Sequence, residues 1–479
     1  MIYDISRTLC LKTKWAKRRI NPFLCKERVT HIKTYQDLLR VGADERARMK
    51  FALDAIAWHK GSVDYQTALD AQLYYAHQNP TIMRYEKFVY NRIGQKVPNT
   101  WSANHKIASH WFNYFVTQAV SFLLGNGVTL AEQTKKKLGA DFDTQLYHLA
   151  TYAKVDKAAF GFWNYDHVDI FRFTEFVPLY DEEDGRLKAG VRFWQIDSDR
   201  PLRITLYEPD GYTSYIKIDG EEIKLHEKKR SYKQIISRSK IGGETVSDGG
   251  NYAEFPIVPL YNIGNQSELV GNRATIDAYD LLISGLVNNV TDGEFLYWIL
   301  TNCDGMSEDE VVQFIESLAL NHVARAGTGD AGARVDAHKA EVPHEATEVA
   351  ITRLTNQLYH DFMALKVEDI AAGNVTATQI TAAYEPINQR TDQFETCVTA
   401  FVNQILKLAE LDDTPTYSRS QMSNQGETIK NVLLAAEYLD EQYITAKILT
   451  LLGDADKVQE VMERINADTY NRYTKVTGE

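Results

Sequence analysis

The hydrophobic period of this chain changes twice, and that pattern limits its folds more than any single motif. Between about residues 34 and 125 apolar side chains recur at helical spacing. From Phe160 to about Leu260 the strings FGFWNYDHVDIFRFTEFVPLY, LKAGVRFWQID, RITLYEPDG and YTSYIKIDG read as aromatic and β-branched strands. They are separated by the turn signals Asp184-Gly185, Asp210-Gly211 and Asp219-Gly220. After Pro256-Ile257-Val258-Pro259 the helical period returns. An antiparallel β region set between helical regions is an α+β arrangement. Residues 242–250 are polar and glycine-rich, which predicts a flexible turn.

The returning helices are long. Ile276, Tyr279, Ile283, Leu286 and Val290 share one face of a helix over 267–292, roughly 39 Å at 1.5 Å per residue. Ile351, Leu354, Leu358, Phe362 and Leu365 do the same in a second helix that Pro343 can open. Between the two rods lies a small insert: a strand EFLYWILT, a helix capped at Ser307-Glu308-Asp309-Glu310, then NHVARA and ARVDAHKAEV as a hairpin. A third long helix is predicted from the capping box Thr376-Ala377-Thr378-Gln379 to Leu411. Pro386 inside it removes a donor and predicts a kink. The preceding link, VEDIAAGNV, is small and mostly uncharged. A short strand TYSRSQMS and further helical segments follow.

The 479 residues carry a formal charge of −12, which excludes a surface that grips nucleic acid or anionic lipid as a whole. Residues 1–33 depart from this, with nine bases against Asp4 and Glu27, a local +7 that leaves −19 for the rest. Such a segment is either a solvated extension or a contact for a polyanion or an acidic neighbouring subunit. Cys10, Cys25, Cys303 and Cys397 share no short spacing, so neighbouring residues supply no zinc knuckle or CxxC pair, and reduced thiols are expected. The first residues lack an apolar run of signal-peptide type. Residues 107–131 contain no Asp, Glu, Lys or Arg, yet Ser109, Asn113, Thr117 and Ser121 form a polar stripe. An amphipathic helix ending near Gly125 is predicted there, and no membrane span.

The search for chemistry ends without a site. Gly327-Thr328-Gly329-Asp330-Ala331-Gly332 fits GxGxxG, but a strand-like run follows it where a dinucleotide site needs a helix, so a hairpin turn is favoured. No GxxxxGK[ST] occurs. His105 and His110 flank no HExxH glutamate, and the run 181–185 lacks calcium-loop spacing. No serine or cysteine lies in a nucleophile elbow. No cofactor or metal is expected.

The order of the elements and several strings resemble the portal proteins of tailed bacteriophages, in particular those of long-tailed siphophages. The strings are NHKIASHWFNYFVTQAVSFLLGNGVTL, FPIVPLYNIGNQSELVGNRATIDAYDLLISGLVNNVTD, PTYSRSQMSNQ and YITAKILTLLGDADKVQEVMERIN. The resemblance covers about residues 40–466 and rests on their order and spacing. An α+β enzyme with a site assembled from distant residues, or another virion adaptor protein, are the alternatives.

The resemblance implies a homo-oligomeric ring, usually a dodecamer, at one capsid vertex. It would act as the channel for double-stranded DNA in packaging and ejection and dock the terminase motor, head-completion proteins, capsid and scaffold. Its sites would be the virion vertex and, during assembly, the host cytoplasm. Carried onto this chain, it makes 1–35 a basic extension, 36–265 the wing, 266–293 and 343–366 the stem helices, and 294–342 the clip. It makes 367–376 the tunnel loop, 377–411 the kinked helix, 412–426 a wing strand and 427–479 the crown. Ile370, Ala371, Ala372, Gly373, Asn374 and Val375 would then line the DNA opening. Asp277, Asp280, Glu345, Glu348, Arg353 and Lys366 would stand on the channel wall. Glu308, Asp309, Glu310 and Asp330 would dock partners, in a segment with nine acids against three bases. Stem helices with net charges of −3 and −1 suit a conduit, since repeated lysines would hold the duplex through phosphate contacts.

Overall fold

The computed structural model describes residues 32–465 apart from 91–93, 100–101, 219–221, 239–243, 293–295, 302–308, 310–333, 340–343, 372–376, 420–431, 436–437, 439, 453–457 and 459–460. It is a mixed α+β structure with long helices and antiparallel sheets. Helices α1 (Tyr35–Val41), α2 (Glu45–Lys60), α3 (Val63–Tyr75) and the single turn α4 (Pro80–Met83) open on the side-chain caps Thr34, Asp44, Ser62 and Asn79.

The helical period expected up to residue 125 is then interrupted. Strands β1 (Phe88–Tyr90) and β2 (Lys96–Pro98) pair as a hairpin, and an extended segment follows before α5 (Trp111–Leu124). The amphipathic helix therefore starts at Trp111, four residues beyond Ile107, because tertiary hydrogen bonds hold the backbone of 105–109 extended, as described below. After β3 (Val128–Thr129), helices α6 (Glu132–Leu138) and α7 (Phe142–Asp156) lead into the sheets.

Strands β4 (Ala158–Trp163) and β5 (Val168–Arg172) belong to one sheet. Strands β6 (Phe176–Tyr180), β7 (Leu187–Trp194), β8 (Leu202–Glu208), β9 (Gly211–Lys217) and β10 (Lys224–Arg230) form a five-stranded antiparallel meander. Asp184-Gly185 and Asp210-Gly211 make its turns with positive φ at both glycines, as their sequence predicts. Residues 244–250 are not a turn: β11 (Lys233–Arg238) pairs with β12 (Glu244–Gly250), so a ladder satisfies backbone that the polar composition had suggested was solvated. Strand β13 (Ile257–Tyr261) closes the first sheet in the order β13-β4-β5.

Helix α8 (Arg273–Asp292) begins six residues later than the periodicity predicts. The Ser267 hydroxyl donates to Val155 O and accepts from Leu269 N, and Gly271 sits at φ +88°, so 267–272 form turns. Strand β14 (Leu296–Thr301) pairs with β15 (Arg334–Lys339), so among the described residues the partner of β15 is the first strand of the insert; the run NHVARA lies outside them. Helix α9 (His344–Asp361) packs along α8 and ends where Met363, at φ +47°, lets Ala364 N bond back to Tyr359 O. A short helix, α10 (Val367–Ala371), occupies the first half of the expected loop. Helix α11 (Ala377–Leu408) runs unbroken through Pro386. Strand β16 (Thr416–Tyr417) pairs with β3, and α12 (Glu441–Leu452) follows.

One core joins the parts that matter for function. Phe115, Leu149, Val258, Ile276, Leu358, Phe394 and Phe401 pack together from α5, α7, β13, α8, α9 and α11, with Phe362 just past α9. Gly161 permits this approach: a Cβ there would lie 2.6 Å from the Phe401 ring, which is buried and cannot swing out. Gly161→Ala should cost about 1–3 kcal/mol through overpacking, read as a fall in the thermal midpoint.

Candidate stem and DNA-channel site

The extended segment before α5 grips α8 by a ladder of side chains. Asp280, Ser284 and Asn288 lie four residues apart on one helix face, and all three are buried. They meet the backbone of alternate residues in the extended segment before α5. Ser109 N donates to Asp280 Oδ1 (3.0 Å), Ile107 N to Ser284 Oγ (3.0 Å) and His105 N to Asn288 Oδ1 (2.6 Å), and Asn288 Nδ2 donates back to His105 O (3.2 Å). Four helical residues rise about 6 Å and two extended ones about 6.7 Å, so the two repeats stay in register over three rungs. The helix thus supplies the partners that a neighbouring strand would otherwise give. Asn79 closes the top rung: its Nδ2 donates to Asp280 Oδ2 (2.7 Å) and Asp277 Oδ1 (2.9 Å), while its Oδ1 accepts from Thr81 N. Tyr74 donates to Asp277 (2.5 Å).

Two of the expected channel-wall residues are therefore corrected. Asp280 is 1% exposed and faces Ser109 and Asn79 of its own subunit, and Asp277 is half-buried between Tyr74, Asn79 and Arg273. The acidic charge counted over 267–292 is spent largely inside the subunit.

The segment just before α8 and the residue just past α9 meet at one buried ion cluster. Lys154 from α7 donates to Glu268 Oε1 (2.9 Å), and the Arg390 guanidinium from α11 donates both to Glu268 Oε2 and to the carbonyl of Phe362 just past α9. Phe394 and Phe362 present ring faces to the two cations. Burial alone would raise the Glu268 carboxyl, but Lys154 and Arg390 outweigh it and hold it at about 2. Burial pushes Lys154 down in spite of Glu268, because Arg390 adds a second cation to one carboxylate. Trp111 adds an aromatic joint, edge-on to Tyr279 of α8 and Tyr359 of α9, both at 5.6 Å.

The other candidates are placed as follows where the structure describes them. Glu345, Glu348 and Arg353 are exposed on α9. Lys366 donates to Asn356 Oδ1 (3.1 Å). Ile370 packs partly buried beside Phe122, Tyr384 and Ile387. Ala371 ends α10, while Ala372, Gly373, Asn374 and Val375 lie outside the described residues. Asp309 is exposed; Glu308, Glu310 and Asp330 lie outside the described residues. Among the described residues no group of His, Cys, Asp or Glu is placed to hold a metal, and no helix is long and apolar enough to cross a membrane. Sequence reading missed the ladder, although the four-residue spacing of Asp280, Ser284 and Asn288 was a visible signal. It offered none for Lys154, Glu268 and Arg390, which come from three distant segments.

The chain is similar to known phage proteins. Residues 166–470 match the family model described as "Phage portal protein, SPP1 Gp6-like". The portal protein of Bacillus phage SPP1 is 23% identical over 397 residues, covering 75% of each chain. The portal protein of Clostridium phage phiCD119 is 24% identical over 390 residues, covering 75% of this chain and 84% of that one. The solved neck of an empty GTA particle, computed with C6 symmetry, superposes on 71% of this chain and 89% of that one at a TM-score of 0.41 and 9% identity. The class is that of structural, non-enzymatic head-to-tail connector proteins of phages. Within it, the chain belongs to the SPP1 Gp6-like phage portal proteins.

Proposed function

We propose that copies of this chain close into a ring, a dodecamer, at one capsid vertex, where it conducts double-stranded DNA during packaging and ejection. The observation that carries this reading is the family match, which runs from β5 past α12 and includes both long helices and the insert between them. In this reading 36–265 form the wing, α8 and α9 the stem, 294–342 the clip, 367–376 the tunnel loop, α11 the helix that crosses back to the wing, and 427–479 the crown. With Asp277 and Asp280 turned inward, the channel wall falls to α9, where Glu345, Glu348 and Arg353 are exposed, with Lys366 beyond its far end. Exposed carboxylates repel phosphate and leave the duplex free to slide.

The acidic clip, Glu308, Asp309, Glu310 and Asp330 included, complements a basic surface on the terminase motor or a head-completion protein. Capsid and scaffold proteins would meet the outer wing.

Purified protein should elute as an assembly of about twelve times 54.6 kDa and show a central hole in negative stain. A monomer at all concentrations removes the ring. In such rings, Ala372→Arg with Asn374→Arg adds two cations per subunit at the channel. DNA passage should arrest at about 50 mM salt and recover by about 200 mM, as the added phosphate contacts weaken. Unchanged passage at low salt would place this loop away from the DNA.

A further inference from the structure

The two segments that clamp Asp280 also carry a pair of stacked histidines. Asn79, which holds Asp280 Oδ2, follows His77 by two residues, and Ser109, which holds Asp280 Oδ1, stands immediately before His110. The two imidazoles lie 3.5 Å apart between ring centres and 13° from parallel. His77 sits just past α3 at φ +61°, and His110 opens α5 without a side-chain cap bond. A second link joins the same two segments, from Asn113 Nδ2 to Tyr75 O (3.2 Å).

This contact suits neutral rings. An imidazolium donates from both nitrogens, and His77 Nδ1 is buried and meets no hydrogen-bond partner among the described residues. Two imidazolium rings at this separation would also repel, and they would do so at the N-terminal end of α5, where the helix dipole opposes positive charge. The charged and titratable groups around the pair are Tyr74 and Tyr75 of α3, Tyr114 of α5, Asp277 and Asp280 of α8 with Arg273 beside them, and His105 and Lys106 of the extended segment; α4 has none. Burial first, and the charge of His110 second, hold His77 below its ordinary 6.5, and neither carboxylate counters them.

We propose that the His77–His110 stack is an acid-opened latch: charging both rings parts the end of α3 from the start of α5 and draws Asn79 and Ser109 off Asp280. The latch works within one subunit and does not depend on copies closing into a ring. The grip of 105–109 on α8 is then firm at neutral pH and loose below about pH 6. The folded chain binds fewer protons at His77 than the unfolded chain does. The contribution is therefore whole above 6.5 and is lost as pH falls below it.

Amide hydrogen exchange of the full chain tests this, with each rate divided by the free-peptide rate at the same pH. Between about pH 7.5 and about pH 5.5 the protection of the His105, Ile107 and Ser109 amides should fall about tenfold, the factor for one unit of pKa displacement, while β7 and β8 keep theirs. His77→Asn tolerates a positive φ, and His110→Phe keeps a ring on His77; each should abolish the fall. A fall that persists in both variants would place the titrating group elsewhere and overturn the proposal. An unchanged wild type would overturn it too, as would an equal fall throughout the chain, which reports general acid unfolding. Exchange of the imidazole C2 hydrogen, read by mass spectrometry, follows His77 directly. Its midpoint should lie below 6.5 in the wild type and rise in His110→Phe. A wild-type midpoint at or above 6.5 ends the idea without recourse to either variant, and so does an equal midpoint in the two proteins.

Discussion

Glu268→Ala is expected to destabilise the subunit by about 3–5 kcal/mol, the cost of leaving buried cations without their counter-charge. Lys154 is 1% exposed and Arg390 10%, so neither can turn to water when the carboxylate goes. Arg390→Met should cost a similar amount for a different reason: Glu268 keeps one partner, but the Phe362 carbonyl loses a buried donor. Replacing all three charges by apolar residues of similar volume should recover most of the loss, because the desolvation of three ions disappears with them. Urea unfolding of the four proteins decides this. If Glu268→Ala unfolds at the wild-type midpoint, the cluster does not hold α7 and α11 to the ends of α8 and α9.

The same cluster predicts acid behaviour. The Glu268 carboxyl is held at about 2, below its ordinary value of 4.5. Its contribution is therefore complete above pH 4.5 and is lost as pH falls through about 2, so the gap between wild type and Glu268→Ala should narrow across that window.

Asp280→Ala should be nearly as damaging, at about 1–3 kcal/mol for each N–H it leaves unpaired, that of Ser109 and one of the two on the Asn79 amide, the other keeping Asp277. Asp280→Asn retains an oxygen for Ser109 but sets an amide against an amide at Asn79, so about half the loss should return. Burial raises the Asp280 carboxyl above its ordinary 3.8 despite the bonds from Ser109 and Asn79. Protonation is thus favoured in the fold, and this group adds stability as pH falls, the reverse of Glu268. Hydrogen exchange at Ile107 and Ser109 should accelerate in Asp280→Ala while that of β7 and β8 stays slow. Uniform acceleration would mean global destabilisation without a local ladder.

The β meander was readable because alternation and Asp-Gly turns act between neighbours in sequence, and a strand's register follows from its turns. The long helices were readable for the same reason, since their apolar residues repeat at the helical period, although of the five expected on the face of α8 only Ile276 is buried and Val290 is 50% exposed. The order of these elements also sufficed for a resemblance to the family that the chain matches.

What tertiary structure decided is where the polar residues of those helices go. Asp277 and Asp280 look like solvated acids in any local window, and only the passage of 105–109 along α8 turns them into interior partners. Ser267 and Gly271 delay α8 because Val155, 112 residues away, accepts the serine proton. The hairpin 88–98 and the strand 244–250 escaped notice because their pairing depends on which backbone lies alongside, and backbone carries no side-chain signature. Lys154, Glu268 and Arg390 show the limit most plainly. Each is an ordinary charged residue in its own segment, and their chemistry arises only when packing removes water from all three at once.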